Sequence, residues 1–222
     1  LFSIGGWGVG DFKNMQNLLA TPAGKQTLMQ NFNALATALP IDGFDFDMEE
    51  WDADYTTAVV QMTKNLNGIN NMAVTYCPYN NTPFWLNALA QVYTLNSNQQ
   101  IVSAFNLQCY AGGSGNLPGQ WVSQINSFGQ PLGISNAAAF VIPGFWCANP
   151  GTNCQPQPIQ GVMCPSQMQN TFYGFTQPGN DPGINGGFLW NSGDLFACGA
   201  GTACGGPVTA AAYALAIANG LS

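Results

Sequence analysis

The chain has no histidine and no arginine, and three lysines are its only cationic side chains. Without histidine, Ser-His-Asp and Cys-His nucleophile systems are excluded, and an ordinary zinc site is not expected. A formal net charge of −7 disfavours nucleic acid and anionic membranes as partners. No apolar run approaches about 18 residues, and neither a P-loop nor a GxGxxG fingerprint occurs. The sequence therefore predicts no membrane insertion and no nucleotide site.

What the chain does contain is a large apolar fraction, abundant uncharged polar residues and seven cysteines in 222 residues. That length fits a single domain over residues 1–222 with a sizeable core. Cysteines at this density are normally paired in oxidising compartments, and no CxxC is present. These features predict a secreted, extracellular protein with disulfide bonds and without a metal or other cofactor.

Five of the ten acidic residues lie within nine positions, from Asp42 to Glu50. Asp45, Asp47 and Glu49 alternate with apolar residues, so on a β-strand the three carboxylates share one face. Same-face neighbours are roughly 6.8 Å apart, where two charges repel by about 2.4 kcal/mol at an effective dielectric of about 20. The three carboxyls cannot all ionise at low cost, so protons are shared or pKa values are raised. A solvated acidic strand is the alternative, but strict alternation within an apolar strand favours acid–base chemistry.

Strands alternate with helices along the chain, beginning with a strand over 1–6 and ending with a helix over 208–221. This alternation predicts a parallel sheet with right-handed crossovers, and both a doubly wound sheet and a (β/α)8 barrel satisfy it. The barrel is favoured because strand ends carry polar or aromatic residues, as barrel active sites require. Those residues are Trp7, Glu49, Tyr76, Gln108, Tyr110 and Trp190. Together they predict a carbohydrate-sized cleft of acids and aromatic platforms, with Trp7 and Tyr76 as substrate contacts.

Several motifs resemble those of the family 18 glycoside hydrolases, which include chitinases and endo-β-N-acetylglucosaminidases. Asp42-Gly43-Phe44-Asp45-Phe46-Asp47-Met48-Glu49 matches the Asp-x-x-Asp-x-Asp-x-Glu motif of the family's fourth barrel strand, and Ser3-Ile4-Gly5-Gly6 matches the Ser-x-Gly-Gly of the third. Cys77-Pro78-Tyr79 and Gln108-Cys109-Tyr110 are similar to the fifth and sixth strands of plant-type class III chitinases. Phe188-Leu189-Trp190 resembles the eighth strand. The resemblance extends from Leu1 to the final helix.

The resemblance implies retaining hydrolysis of β-1,4-linked N-acetylglucosamine, as in chitin, in which the substrate acetamide replaces an enzyme nucleophile. It assigns the general acid to Glu49 and the acetamide-holding carboxylate to Asp47. Asp45 would share a proton with Asp47 and so tune its charge. It further implies that Tyr110 donates a hydrogen bond to the acetamide oxygen. Gln108 would line the same pocket, and Trp190 would lie beneath the sugar ring. Asp42 and Glu50 are interpreted as structural.

If residues 1–6 form the family's third strand, the resemblance predicts that two βα units precede them in a longer chain. The alternatives are that another chain supplies those units or that the barrel is unusual. Neighbouring strands would allow Cys77 to pair with Cys109, and short loops would allow Cys147 to pair with Cys154 and Cys198 with Cys204. Cys164 would then be the odd cysteine, although the connectivity stays open.

Two other functions are compatible with these residues. A non-catalytic lectin or structural wall protein that binds chitin or another glycan would keep the barrel without turnover, but inactive relatives commonly lack the acid at the position of Glu49. An endo-β-N-acetylglucosaminidase that cleaves N-glycans would use the same catalytic residues. Its substrate, not its site, would distinguish it from a chitinase.

Overall fold

A computed structural model of the protein describes residues 1–147, 162–177, 183–198, 204 and 208–222. The chain divides into two compact units, the first formed by Leu1–Phe105 with Ser127–Ser135 and the second by Asn106–Asn126 with Asn136–Ser222. Among the described residues, no helix is both long enough and apolar enough to span a bilayer.

The first unit alternates strands with helices. Its elements are β1 (Phe2–Gly5), α1 (Asp11–Leu19), α2 (Pro22–Ala38), β2 (Gly43–Asp47), α3 (Thr56–Asn67), β3 (Ala73–Tyr76), α4 (Thr82–Leu95) and β4 (Val102–Gln108), whose last three residues belong to the second unit. Strands β1 to β4 pair in chain order, and all three pairings are parallel. Within the described residues, β1 has a strand neighbour on one side only.

The second unit contains three strands, five α-helices and a 3₁₀ helix over Ala111–Gly113 among its described residues. They are α5 (Pro118–Ser127), α6 (Ala137–Phe140), β5 (Val141–Cys147), β6 (Val162–Met163), α7 (Pro165–Thr176), β7 (Phe188–Trp190), α8 (Ser192–Cys198) and α9 (Ala210–Gly220). Both β6 and β7 pair with β5, and both pairings are parallel. The predicted α/β class with parallel strands is therefore confirmed.

Strand β2 has two chemically different faces, as its alternation predicts. Phe44 and Phe46 on one face and Met48 just beyond the strand are completely buried. Phe46 stacks on Tyr76 of β3 with ring centroids 5.8 Å apart, and Phe12 of α1 contacts Phe46 edge-on at 5.5 Å. The apolar face thus packs against a helix and leaves the carboxylates on the opposite face.

The sequence did not predict helix α1. The helix buries Phe12 and Met15, three positions apart. This spacing puts both side chains on one face of a helix. Glycines before the helix obscured the signal, and Gly10 at its N-cap provides no side-chain hydrogen bond.

The start of β5 also differs from the prediction. The apolar run over 137–142, followed by Pro143-Gly144, predicts a strand that ends at these two residues. Instead, residues 137–140 are helical and β5 continues through Pro143 and Gly144. The reason is a close approach, since a Cβ atom on Gly144 would lie 2.1 Å from the Phe188 ring. Gly144 here allows neighbouring strands to pack and does not terminate one.

The described cysteines do not form the predicted pairs. Cys164 is bonded to Cys204, with a Cα–Cα distance of 5.5 Å, so both the predicted Cys198–Cys204 pair and the odd Cys164 are wrong. Cys77, Cys109 and Cys147 are buried thiols, which also corrects the Cys77–Cys109 and Cys147–Cys154 pairs. Cys154 itself lies outside the described residues. Neither short loops nor neighbouring strands fix disulfide connectivity, and these pairings had no other basis.

Glu50 supports helix α1 from a distant position in the chain. Its two carboxylate oxygens accept hydrogen bonds from the backbone amides of Phe12 and Lys13, both at 2.9 Å. These amides belong to the first turn of α1, where the helix dipole favours a negative charge. The structural interpretation of Glu50 is confirmed.

Replacing Glu50 by Ala is expected to lower the free energy of unfolding by about 1–3 kcal/mol, because two amides lose a charged acceptor. Urea denaturation at neutral pH measures the change. Glu50→Gln keeps one acceptor oxygen without the charge, so an intermediate loss is expected. Equal stability of Glu50→Ala and the unmodified protein would contradict this role.

Candidate active site

Asp45 lies in the middle of β2 with a hydroxyl on each side. The register places Ser3 of β1 and Thr75 of β3 directly opposite it. Ser3 Oγ donates to Asp45 Oδ2 at 3.0 Å, and Thr75 Oγ1 donates to Asp45 Oδ1. Asp45 is only 7 % exposed. The two hydroxyl donors therefore hold the buried carboxyl of Asp45 in a fixed position on this face.

Asp47 is two residues further along the same face and has a strongly altered acidity. Burial, then the negative charge of Glu49 and then that of Asp45, raise the pKa of Asp47 from 3.8 to about 8. A hydrogen bond with the Glu49 side chain acts in the same direction, whereas one with Cys77 opposes it. At neutral pH Asp47 therefore keeps its proton, and it donates that proton to the Glu49 carboxylate.

Glu49 follows the end of β2 and is half-buried. The protonated Asp47 carboxyl on the same face is one of its hydrogen-bond partners. A carboxylate pair that shares one proton provides a group able to give up a proton and a group able to hold negative charge. The face formed by Asp45, Asp47 and Glu49 is called the acidic face below.

Glycines bring β1 close to the acidic face. Gly5 has φ +106°, and a Cβ atom on it would lie 2.2 Å from the carbonyl oxygen of Asp47. Gly6 follows with φ +113°, and its amide donates to the same carbonyl oxygen at 2.7 Å. Glycine at these two positions therefore allows β1 to lie close to Asp47, since any side chain at Gly5 would push the strand away.

Two residues predicted as substrate contacts have contrasting environments. Trp7 follows β1 and is 89 % exposed, as a surface platform for a sugar requires. Tyr76 is completely buried, and its hydroxyl lies 2.7 Å from Thr63 Oγ1 of α3. Its register partner is Phe46, on the face opposite the acids. This placement removes Tyr76 from the site, because a strand reverses the side-chain direction at each residue.

The other predicted residues, Gln108, Tyr110 and Trp190, belong to the second unit. Tyr110 is buried and stacks on Trp190 at a centroid distance of 6.1 Å and an interplanar angle of 10°. Trp190 itself is 42 % exposed, so its ring is available on one side. Gln108 is 5 % exposed at the end of β4, and its backbone carbonyl oxygen accepts a 2.7 Å hydrogen bond from Asn116 Nδ2.

Trp146 and Asp194 extend this aromatic cluster and were not predicted. Trp146 contacts Tyr110 edge-on at 5.7 Å, and its Nε1 donates to Asp194 Oδ2 at 2.8 Å. Asn191 Nδ2 donates to the same oxygen at 3.0 Å. These contacts fix the rings around Tyr110, which leaves Trp190 as the exposed member of the cluster.

Two further residues of the site were not predicted from the sequence. Thr75 lies in β3, and Cys77 directly follows it. The signal was present, because period two places these residues on one face and Tyr76 on the other. Tyr76 was chosen for its aromatic ring, which assigned the wrong face of β3 to the site.

Asp42, interpreted as structural, is exposed just before β2. Its backbone carbonyl oxygen accepts a hydrogen bond from the Ala73 amide at 3.0 Å.

Comparisons of the chain with protein-family models, with curated proteins and with solved structures returned no match.

Proposed function

We propose that this protein is a secreted glycoside hydrolase that cleaves β-1,4-linked N-acetylglucosamine, as in chitin, with retention and with help from the substrate acetamide. The observation that carries the proposal is the acidic face, where Asp47 has a pKa of about 8 and is hydrogen-bonded to Glu49. The motif resemblance gives each carboxylate its role. The parallel α/β architecture is compatible with a (β/α)8 barrel, which we propose as the complete fold.

The first step requires one proton and one negative charge. Glu49 takes the proton shared with Asp47 and gives it to the glycosidic oxygen as that C–O bond breaks. The acetamide oxygen of the substrate forms the new bond to the anomeric carbon, which produces a cationic oxazolinium ring. Asp47, now a carboxylate, accepts a hydrogen bond from the acetamide N–H and offsets the positive charge.

The second step reverses the proton transfer. Glu49, now a carboxylate, removes a proton from water as the water oxygen attacks the anomeric carbon and the oxazolinium ring opens. Asp45, held by Ser3 and Thr75, helps to raise the pKa of Asp47 and so favours a proton on the Asp47–Glu49 pair. Following the resemblance, Tyr110 donates to the acetamide oxygen, Gln108 lines that pocket and Trp190 supports the sugar ring.

Secretion is part of the proposal. The Cys164–Cys204 disulfide supports it, because such bonds persist in oxidising compartments. The high content of uncharged polar residues is consistent with the same setting.

The test of the proposed function is incubation of the protein with the hexamer of β-1,4-N-acetylglucosamine and, separately, with a high-mannose glycoprotein. Shorter chitooligosaccharides are expected from the first, and the glycoprotein is expected to stay intact. Release of the glycan alone would move the assignment to an endo-β-N-acetylglucosaminidase. Tight binding of the hexamer without any cleavage would make the protein a lectin and contradict the proposal.

A further inference from the structure

A cavity of about 440 Å³ lies in the first unit beside the exit of β2. Its lining residues are Trp51, Ala53, Asp54, Asn80, Asn81 and Phe84. Trp51 is two positions after Glu49, so the two Cα atoms are at most about 7 Å apart. The cavity is therefore next to the acidic face, yet it contains none of the residues to which the proposed chemistry assigns a role.

The aromatic wall of this cavity is held rigidly. Trp51 Nε1 donates to the Tyr79 hydroxyl at 2.8 Å, and the Phe84 ring meets Trp51 edge-on at 5.2 Å. Phe84 in turn packs edge-on against the buried Trp85 at 5.1 Å. Trp51 is nevertheless half-buried, not buried. A fixed aromatic surface that keeps part of its area accessible is suited to binding a flat apolar face.

The polar wall offers acceptors. Asn80 Oδ1 is inaccessible to solvent, and no donor among the described residues reaches it. An unsatisfied buried acceptor is costly, which indicates a ligand hydroxyl or N–H as its partner. Asp54 adds a carboxylate, one oxygen of which already accepts the Thr56 amide at 2.9 Å. No cation occurs among the lining residues, so an anionic ligand is disfavoured.

We propose that the cavity formed by Trp51, Phe84 and Asn80 binds one neutral pyranose unit of an oligosaccharide. The aromatic wall takes the C–H face of the ring, and Asn80 Oδ1 accepts a hydrogen bond from a ring substituent. The identity of that unit as N-acetylglucosamine rests on the proposed function, whereas the binding of a neutral sugar does not. The cavity thus determines how firmly a chain is held beside the acid.

Asn80-Asn81-Thr82 is an N-glycosylation sequon. The test therefore uses protein produced in a bacterial host, so that Asn80 carries no glycan, and measures oligosaccharide affinity by isothermal titration. The probes are soluble neutral hexamers of N-acetylglucosamine, glucose and mannose. Every protein that is titrated also carries the Glu49→Gln substitution, which prevents turnover. Trp51→Ala and Asn80→Ala are each expected to weaken binding of the preferred hexamer by about tenfold, since each removes one wall. Thermal unfolding of Asn80→Ala is expected at an unchanged or higher temperature, because an unsatisfied acceptor is removed.

Gln16→Ala is the matched control. Gln16 Oε1 is also buried without a donor in the described part of the chain. Gln16 lines a second cavity of about 320 Å³, which shares Asp54 with the first but has no aromatic wall. Gln16→Ala is expected to leave the affinity for every hexamer unchanged.

The outcomes separate the two proposals. If the glucose or mannose hexamer is the preferred ligand and both cavity variants weaken its binding, the cavity proposal holds and the chitinase proposal fails. If the N-acetylglucosamine hexamer is cleaved by the unmodified protein but Trp51→Ala and Asn80→Ala bind it as tightly as Gln16→Ala, the cavity proposal is overturned and the chitinase proposal stands. Failure to bind any neutral hexamer would also overturn the cavity proposal.

Discussion

Glu49→Gln is expected to lower kcat for chitooligosaccharide cleavage by about 10²- to 10⁴-fold, the usual contribution of a positioned general acid. Gln keeps the size and hydrogen-bonding shape of the side chain but cannot give a proton to the glycosidic oxygen. Affinity for the hexamer is expected to stay within a few-fold of that of the unmodified protein. Steady-state kinetics and isothermal titration together measure the two effects.

Glu50→Gln is the control for this substitution, because it makes the same chemical change one residue along the chain. Glu50 is bound to the first turn of α1 and has no role in the proposed chemistry. It is expected to lose stability while keeping most of the turnover at a temperature where it is folded. Equal loss of kcat in both variants would show that a structural effect, not proton transfer, explains the Glu49 result.

Asp47→Asn is expected to change the pH dependence of stability. In the folded protein the pKa of Asp47 is about 8, above its ordinary value of 3.8, so the folded state keeps a proton that the unfolded chain releases. The proton-binding difference makes the unmodified protein less stable as pH rises from about 4 to about 8. Asn has no proton to lose, so this part of the decline disappears and the variant gains on the order of a few kcal/mol at pH 8.

Denaturant unfolding between pH 4 and pH 9 measures this difference. Asp42→Asn, at an exposed acid just before the same strand, is expected to keep the slope of the unmodified protein. The same Asp47→Asn variant is expected to lose chitooligosaccharide cleavage, since it has no carboxylate to offset the oxazolinium charge. An unchanged stability slope in Asp47→Asn would contradict the shared proton.

Period two was sufficient to predict the acidic face from the sequence. The alternation of Asp45, Asp47 and Glu49 with Phe46 and Met48 fixes the faces of β2 whatever its neighbours are. It did not identify those neighbours, and the hydroxyls on either side of Asp45 became visible only through the pairing register. Register depends on the whole sheet and is not encoded in one strand.

Tyr76 illustrates the opposite case. Its position near a strand end and its aromatic ring favoured a sugar contact, but one residue of offset places a side chain on the other face. The hydroxyl that made Tyr76 attractive is satisfied by Thr63 in the core. Tyr and Trp are often buried with such a partner, so residue type alone does not identify a binding residue.

Helix α1 and the cavity beside Trp51 were missed for a related reason. The helix lacks a side-chain cap of its own, and Glu50 supplies its acceptors from 37 and 38 positions away in the chain. The cavity combines loops after β2 and β3, which no local pattern connects. Both features result from tertiary contacts, which sequence periodicity does not contain.

In the proposed reaction, the substrate acetamide acts as the nucleophile beside the acidic face. The most direct measurement compares cleavage of the β-1,4-N-acetylglucosamine hexamer with cleavage of its fully deacetylated counterpart and of the glucose hexamer, under the same conditions. We expect cleavage of the acetylated hexamer, with the β-anomer as the first product, and no cleavage of the other two. Comparable cleavage of either substrate that lacks the acetamide would show that the acetamide is not the nucleophile.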